Sequence, residues 1–171
     1  MTGSFPLDMD RDFTPIMQMK PRAADIEEFM AALGLTSWED NYPIIDAIAI
    51  SNQVWVYYHL GSLVMVGGVV DGGVIWAVGT DTVPLVIKAL SEDVGRLLDA
   101  WLSVYGKLEG FIYKKNINHI RWLARFGFVF TESPRPDFLY FYKEEERNHV
   151  SPRSSSGCYD GDDSRSNCIP D

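Results

Sequence analysis

Three runs of β-branched and aromatic residues, Val54 to Tyr58, Leu63 to Val70 and Val74 to Val78, follow one another almost without interruption. Between them stand only His59-Leu60-Gly61-Ser62 and Asp71-Gly72-Gly73, segments that suit hairpin turns and are too short for a crossover. The pattern predicts three antiparallel strands in a meander. A half-buried meander needs a cover, and the sequence supplies one directly. Leu90, Val94, Leu97, Leu98, Trp101 and Tyr105 recur at helical spacing, with Glu92, Asp93, Arg96 and Asp99 between them.

The remaining elements follow from the same reasoning. Leu108 to Tyr113 reads as a further strand. Asn116 or Asn118 can cap a helix running through Arg125, which Gly127 ends, and Phe128 to Thr131 and Phe138 to Lys143 read as the last two strands. Upstream, Ile26, Phe29, Met30 and Leu33 give Ala23 to Leu33 a helical period, with Asp25, Glu27 and Glu28 near the positive end of its dipole and Gly34 as its stop. A shorter helix through Trp38 to Ala49 is interrupted at Pro43, which fits only the first turn of a helix. The expected class is α+β, a mixed and mostly antiparallel sheet of roughly six to seven strands flanked by helices.

A chain of 171 residues fits one core. The expected division is an N-terminal arm over 1–12, one domain over 13–147 and a low-complexity tail over 148–171, whose Ser, Gly and Asp content gives too little burial to offset ordering and predicts disorder. The formal charge of -9 has the wrong sign for coating nucleic acid. The run Leu63 to Val70 falls well short of the ~20 residues needed to cross a bilayer, and Met1 to Asp12 carries three Asp and one Arg where a secretory signal needs a basic start and an apolar centre. The expectation is a protein that stays in the cytoplasm where it is made, with no membrane and no nucleic-acid partner. Cys158 and Cys168 lie in the polar tail without His or acidic ligands at zinc spacing, so no metal is expected and the cysteines read as a reduced pair.

Charge is uneven: Lys107, Lys114, Lys115, Arg121 and Arg125 stand against Glu109 alone within residues 107–125. Such a cluster reads first as a solvated strand end and helix face, and second as an anion site.

The element order, together with Asn116-Ile117-Asn118-His119-Ile120-Arg121-Trp122-Leu123-Ala124-Arg125-Phe126-Gly127-Phe128, resembles the GNAT N-acetyltransferase superfamily, whose closing motif is an Asn-led helix followed by Gly-Phe. Ile75-Trp76-Ala77-Val78-Gly79-Thr80-Asp81, the long helix after it and His119-Ile120-Arg121-Trp122-Leu123 more narrowly resemble the GNAT-like internal virion proteins of short-tailed bacteriophages, over residues 13–145. The resemblance implies virion assembly, other phage virion proteins as partners, and a location in the host cytoplasm during assembly or in the virion interior.

Active relatives hold the acetyl-CoA pyrophosphate on the amides of a glycine-rich loop. Here that stretch is Gly79-Thr80-Asp81-Thr82-Val83-Pro84-Leu85, with one Gly at its start, the acidic Asp81, β-branched Thr82 and Val83, and a proline that has no N–H. Asp81 reads better as a cap for the helix beginning near Pro84 than as a base. Many relatives carry a proton-donating Tyr where this chain has Leu123, and Val74 to Val78 lacks the usual Glu. No catalytic residue is therefore assigned. If acetyl-CoA binds, the resemblance gives its contacts to Val78, Gly79, Thr80, Asn116 and Arg121, in a pocket between Val74 to Val78 and Leu108 to Tyr113. His119 reads as a capping or interface side chain, and His59 as a turn residue. The primary expectation is a non-catalytic virion or morphogenesis protein. An active N-acetyltransferase acting on a host protein or small amine is the alternative, and a polyanion-like inhibitor of a host enzyme is a weaker third.

Overall fold

The computed structural model describes residues 1–145; the tail and both cysteines lie outside the described residues. Seven strands form one sheet in the order β1-β2-β3-β4-β5-β7-β6. β2 (Gln53–His59), β3 (Ser62–Val70) and β4 (Val74–Gly79) are the meander. Its first turn places Leu60 and Gly61 at φ 50° and 84°, and its second bends through Gly72 and Gly73 at 80° and 82°. These left-handed values explain the glycines. β5 (Lys107–Tyr113) pairs antiparallel with β7 (Phe138–Glu144), and β6 (Val129–Glu132) closes that edge.

The helices cover both faces. α4 (Val83–Tyr105) and α5 (Ile117–Arg125) pack on one, in a core that includes Trp55, Leu90, Leu98, Trp101, Leu108, Trp122 and Phe141. On the other, α1 (Met9–Gln18), α2 (Ala23–Leu33) and α3 (Tyr42–Ala49) contribute Ile16, Phe29 and Ile44 to a core with Val56, Tyr58, Val66 and Val78. Pro43 sits in the first turn of α3 and Pro84 in that of α4, where a missing N–H costs nothing.

The first twelve residues, read above as an arm, hold β1 (Gly3–Pro6), paired antiparallel with β2, and the start of α1. α1 is anchored by Asp12, which is fully buried and takes hydrogen bonds from the Asp8 amide, the Arg11 guanidinium and the Tyr58 hydroxyl. Burial works against the Asp12 anion, but those donors outweigh it and hold the carboxyl below its ordinary range, while the Tyr58 hydroxyl is pushed up to about 12 by burial and by Asp12.

One feature of the sheet governs the rest. β4 and β5 run parallel but share a single register pair, Val74↔Glu109, and then diverge toward Gly79 and Tyr113. The sheet is split there.

Candidate functional site

The split is closed at its open end by one side chain from α2. The Asp25 carboxylate, 3% exposed, accepts from the Gly79 amide at 2.8 Å on the β4 side and from Asn116 Nδ2 at 3.1 Å on the β5 side. Arg22 grips the same carboxylate with Nε at 3.0 Å and Nη2 at 2.7 Å, a forked contact suited to its planar guanidinium. The Arg22 amide also donates to the Gly79 carbonyl at 2.9 Å, and Pro21 bridges Thr80. The chain entering α2 thus occupies the strand edge of Gly79.

Asn116 has a second partner, Glu28 Oε2 at 2.9 Å. Burial drives the Glu28 carboxyl up to about 7, and the nearby Asp25 charge adds to this; hydrogen bonds from Asn116 and the Tyr113 backbone pull the other way without restoring the ordinary value. One helical turn on from Asn116, His119 is buried, with Nδ1 lacking any hydrogen-bond partner, and burial lowers its pKa to about 4. At neutral pH the imidazole is uncharged.

Below this polar cluster lies a cavity of about 270 Å³ that passes through the split. Glu28 and His119 contribute to its wall; most of the remainder is apolar, including Trp76, Trp101, Trp122, Phe111 and Phe141. Gly110 is required beside it: a Cβ at that position would stand 2.6 Å from the Phe141 ring and 3.2 Å from the Ile75 carbonyl.

The start of α4 uses its own donors. The Thr82 amide meets Thr80 Oγ1 at 3.3 Å, and the Val83 and Leu85 amides meet the Thr80 and Thr82 carbonyls at 3.0 Å each. Pro84 has no N–H. The N-cap position is Thr82, without a side-chain cap bond, so the expected cap at Asp81 is not formed; the Thr80 hydroxyl accepts from the loop instead. The structure also corrects two readings at α5. Asn116 occupies the N-cap position but turns its side chain to the α2 acids, which offer charged acceptors, and His119 is a buried wall residue rather than a cap.

Of the five residues proposed for coenzyme contact, Gly79 and Asn116 are brought together through Asp25. Val78 is buried in the core on the α1 and α3 face, Thr80 shapes the loop before α4, and Arg121 is exposed on α5. The basic cluster is dispersed: Lys107 pairs with Glu109 at 2.8 Å, and Lys114 pairs with Glu132 at 2.9 Å. Asp25, Glu28 and their bond to Asn116 were not assigned from sequence. Two acids one turn apart on an amphipathic helix were the available signal, and they also fit a simple dipole role.

Among the described residues no group of His, Cys, Asp and Glu could hold a metal, and no helix is long and apolar enough to cross a membrane. No family model matches the chain and no curated protein matches its sequence. Solved structures do match its shape. A domain from Methanocaldococcus jannaschii superposes with a TM-score of 0.61 at 15% identity, over 85% of this chain and 100% of that one. A probable acetyltransferase of the GNAT family from Chromobacterium violaceum gives 0.57 at 18% identity, over 82% and 86%. The GNAT domain of S. lividans PAT gives 0.56 at 12% identity, over 83% and 89%. The split sheet with helices on both faces is therefore the GNAT acetyltransferase fold.

Proposed function

We propose that this chain is a non-catalytic GNAT-fold protein, an internal virion or morphogenesis component of a short-tailed phage that acts through contacts with other virion proteins. The observation that carries the loss of catalysis is the closed end of the split. A diphosphate needs several free amides facing one point. The Thr82, Val83 and Leu85 amides are spent inside their own loop, Pro84 offers none, and the Gly79 amide is held by Asp25. The guanidinium beside the loop, Arg22, is likewise committed to the Asp25 carboxylate and is not offered to a phosphate. The residues present therefore do not fit the diphosphate of acetyl-CoA. Leu123, in the place where relatives carry a Tyr, has no proton to give. The virion assignment is supported by the paired segments at Trp76 and His119.

Titration calorimetry with purified full-length protein tests the first part. No heat is expected up to millimolar acetyl-CoA; micromolar binding would overturn the reading that the diphosphate does not fit, and acetyl-CoA turnover would overturn the loss of catalysis. The second part predicts that the protein is found in purified particles or in their assembly intermediates; its absence from both would refute that assignment.

One observation favours the alternative, an acetyl-CoA-dependent N-acetyltransferase. Glu28 is poised near neutrality at the split, the range in which a carboxylate can take a proton from an amine. That reading requires acetyl-CoA turnover by the wild type and its loss in Glu28→Gln.

A further inference from the structure

We propose that the free edge of β6 is a self-association surface, on which a second copy of this chain pairs its own β6 antiparallel about a two-fold axis through Phe130. The inference goes beyond the function proposed above and holds whether or not the fold is catalytic.

The chain treats the two edges of its sheet differently. β1 is guarded: the Ser4 amide donates to Asp93 Oδ2 at 3.2 Å, Pro6 has no N–H, and the Pro6 carbonyl accepts from Arg11 Nη2 at 3.1 Å. Such devices stop an edge from templating another strand. β6 carries none of them. Its register with β7 is unbroken from Val129 to Glu132, and it contains no Pro, Gly or Lys. Among the described residues its main chain bonds to β7 alone. Val-Phe-Thr is a β-forming run, and Val129 is 49% exposed.

This edge also complements itself. Opposite residues of an antiparallel pair share a face, so a two-fold joint must set one residue against its own copy. With Phe130 on the axis, Phe130 meets Phe130 of the second copy, and Val129 meets Thr131 of the second copy. Aromatic and β-branched pairs are favourable cross-strand combinations. Both extend rows already in the sheet: the Phe130 ring lies 6.2 Å from Phe141, and Val129 and Thr131 stand opposite Tyr142 and Tyr140, which stack at 5.7 Å. An axis through Thr131 would instead oppose Phe130 and Glu132. Charge permits the approach although the chain carries -9, because Glu132, the one charge on β6, pairs with Lys114 at 2.9 Å. The register also holds Glu132 about 13 Å from its copy, beyond the screening length of roughly 8 Å in physiological salt. So short a joint buries less than a permanent dimer needs, and the association is accordingly weak and concentration-dependent.

Sedimentation velocity of the full-length chain under reducing conditions, from micromolar to millimolar concentration, tests this. A monomer–dimer equilibrium is expected. Val129→Lys and Thr131→Lys, both at exposed positions, should each weaken it at least tenfold while leaving the circular dichroism spectrum unchanged. Leu85→Lys, at an exposed position on α4, should leave the equilibrium as it is. The register is read by cross-linking in a chain with Cys158 and Cys168 changed to Ser. On mild oxidation, an equimolar mixture of Val129→Cys and Thr131→Cys should form disulfide-linked dimers faster than either variant alone, because directly opposite residues lie within disulfide reach and diagonal ones do not. A chain that stays monomeric at millimolar concentration, a dimer indifferent to both lysine substitutions, or cross-linking no faster in the mixture would overturn the proposal.

Discussion

Glu28→Gln should make the protein more stable at alkaline pH and leave it nearly unchanged in acid. In the fold the Glu28 carboxyl is raised from 4.5 to about 7, chiefly by burial. The folded state therefore holds its proton more tightly than the unfolded chain does. Stability from this group is fully present below pH 4.5 and is lost as pH rises through about 7. Each tenfold change in proton affinity is worth about 1.4 kcal/mol, so the displacement amounts to about 3 kcal/mol, all of it lost by pH 8 to 9. Gln has nearly the same shape, can still accept from Asn116 and carries no charge to desolvate, so it escapes the loss. Urea unfolding of both proteins at pH 4.5 and pH 8.5, with equal m-values, measures the effect. The variant should gain about 2 to 3 kcal/mol over wild type at the higher pH and close to nothing at the lower. Taking the difference removes every other titrating group that the substitution leaves alone. An advantage that does not vary with pH, or a variant less stable at pH 8.5, would refute the burial argument.

Three further substitutions probe the same architecture. Asp25→Ala leaves the Arg22 guanidinium and the Gly79 amide without their acceptor and should cost about 3 to 5 kcal/mol by chemical denaturation, with the Arg22→Ala, Asp25→Ala double variant losing clearly less than the two single losses together. Gly73→Ala places a Cβ 2.1 Å from the Lys107 carbonyl oxygen at φ +82°, so circular dichroism should show a variant that is unfolded or destabilised by more than about 4 kcal/mol. Ser91→Ala removes the acceptor of the Trp122 indole N–H, now at 2.9 Å, and should lower stability by about 1 to 3 kcal/mol together with a change in tryptophan fluorescence.

The meander, the long helix and the order of the later elements were legible because their apolar spacing is local and repetitive. β2, β3 and β4 are continuous β-branched and aromatic runs, and α4 repeats its apolar face over 23 residues. β1 and α1 were not, for a physical reason. Gly-Ser-Phe-Pro has little strand preference of its own and is held by pairing with β2, some fifty residues away, while Pro15 inside α1 argues against a helix that the burial of Asp12 and Ile16 nevertheless sustains. The site divides in the same way. The poor diphosphate loop could be read from Pro84 and the β-branched pair before it, because a missing N–H is a property of one residue. That Asn116 would reach across to Asp25 and Glu28, residues 91 and 88 positions away, is a property of the packing alone.

The single register pair between β4 and β5 leaves the sheet as two blades with little main-chain stitching between them. α2 supplies the tie: it fastens to the first blade through Asp25 and Gly79, and to the second through Asn116. Arg135, on the loop between β6 and β7, adds a third seam by donating to the Ala31 and Ala32 carbonyls at the end of α2, at 3.1 and 2.9 Å. Amide exchange in the two blades should accordingly rise in step whenever α2 is loosened, so that one short helix adds to the coupling that the α4 core already provides between them.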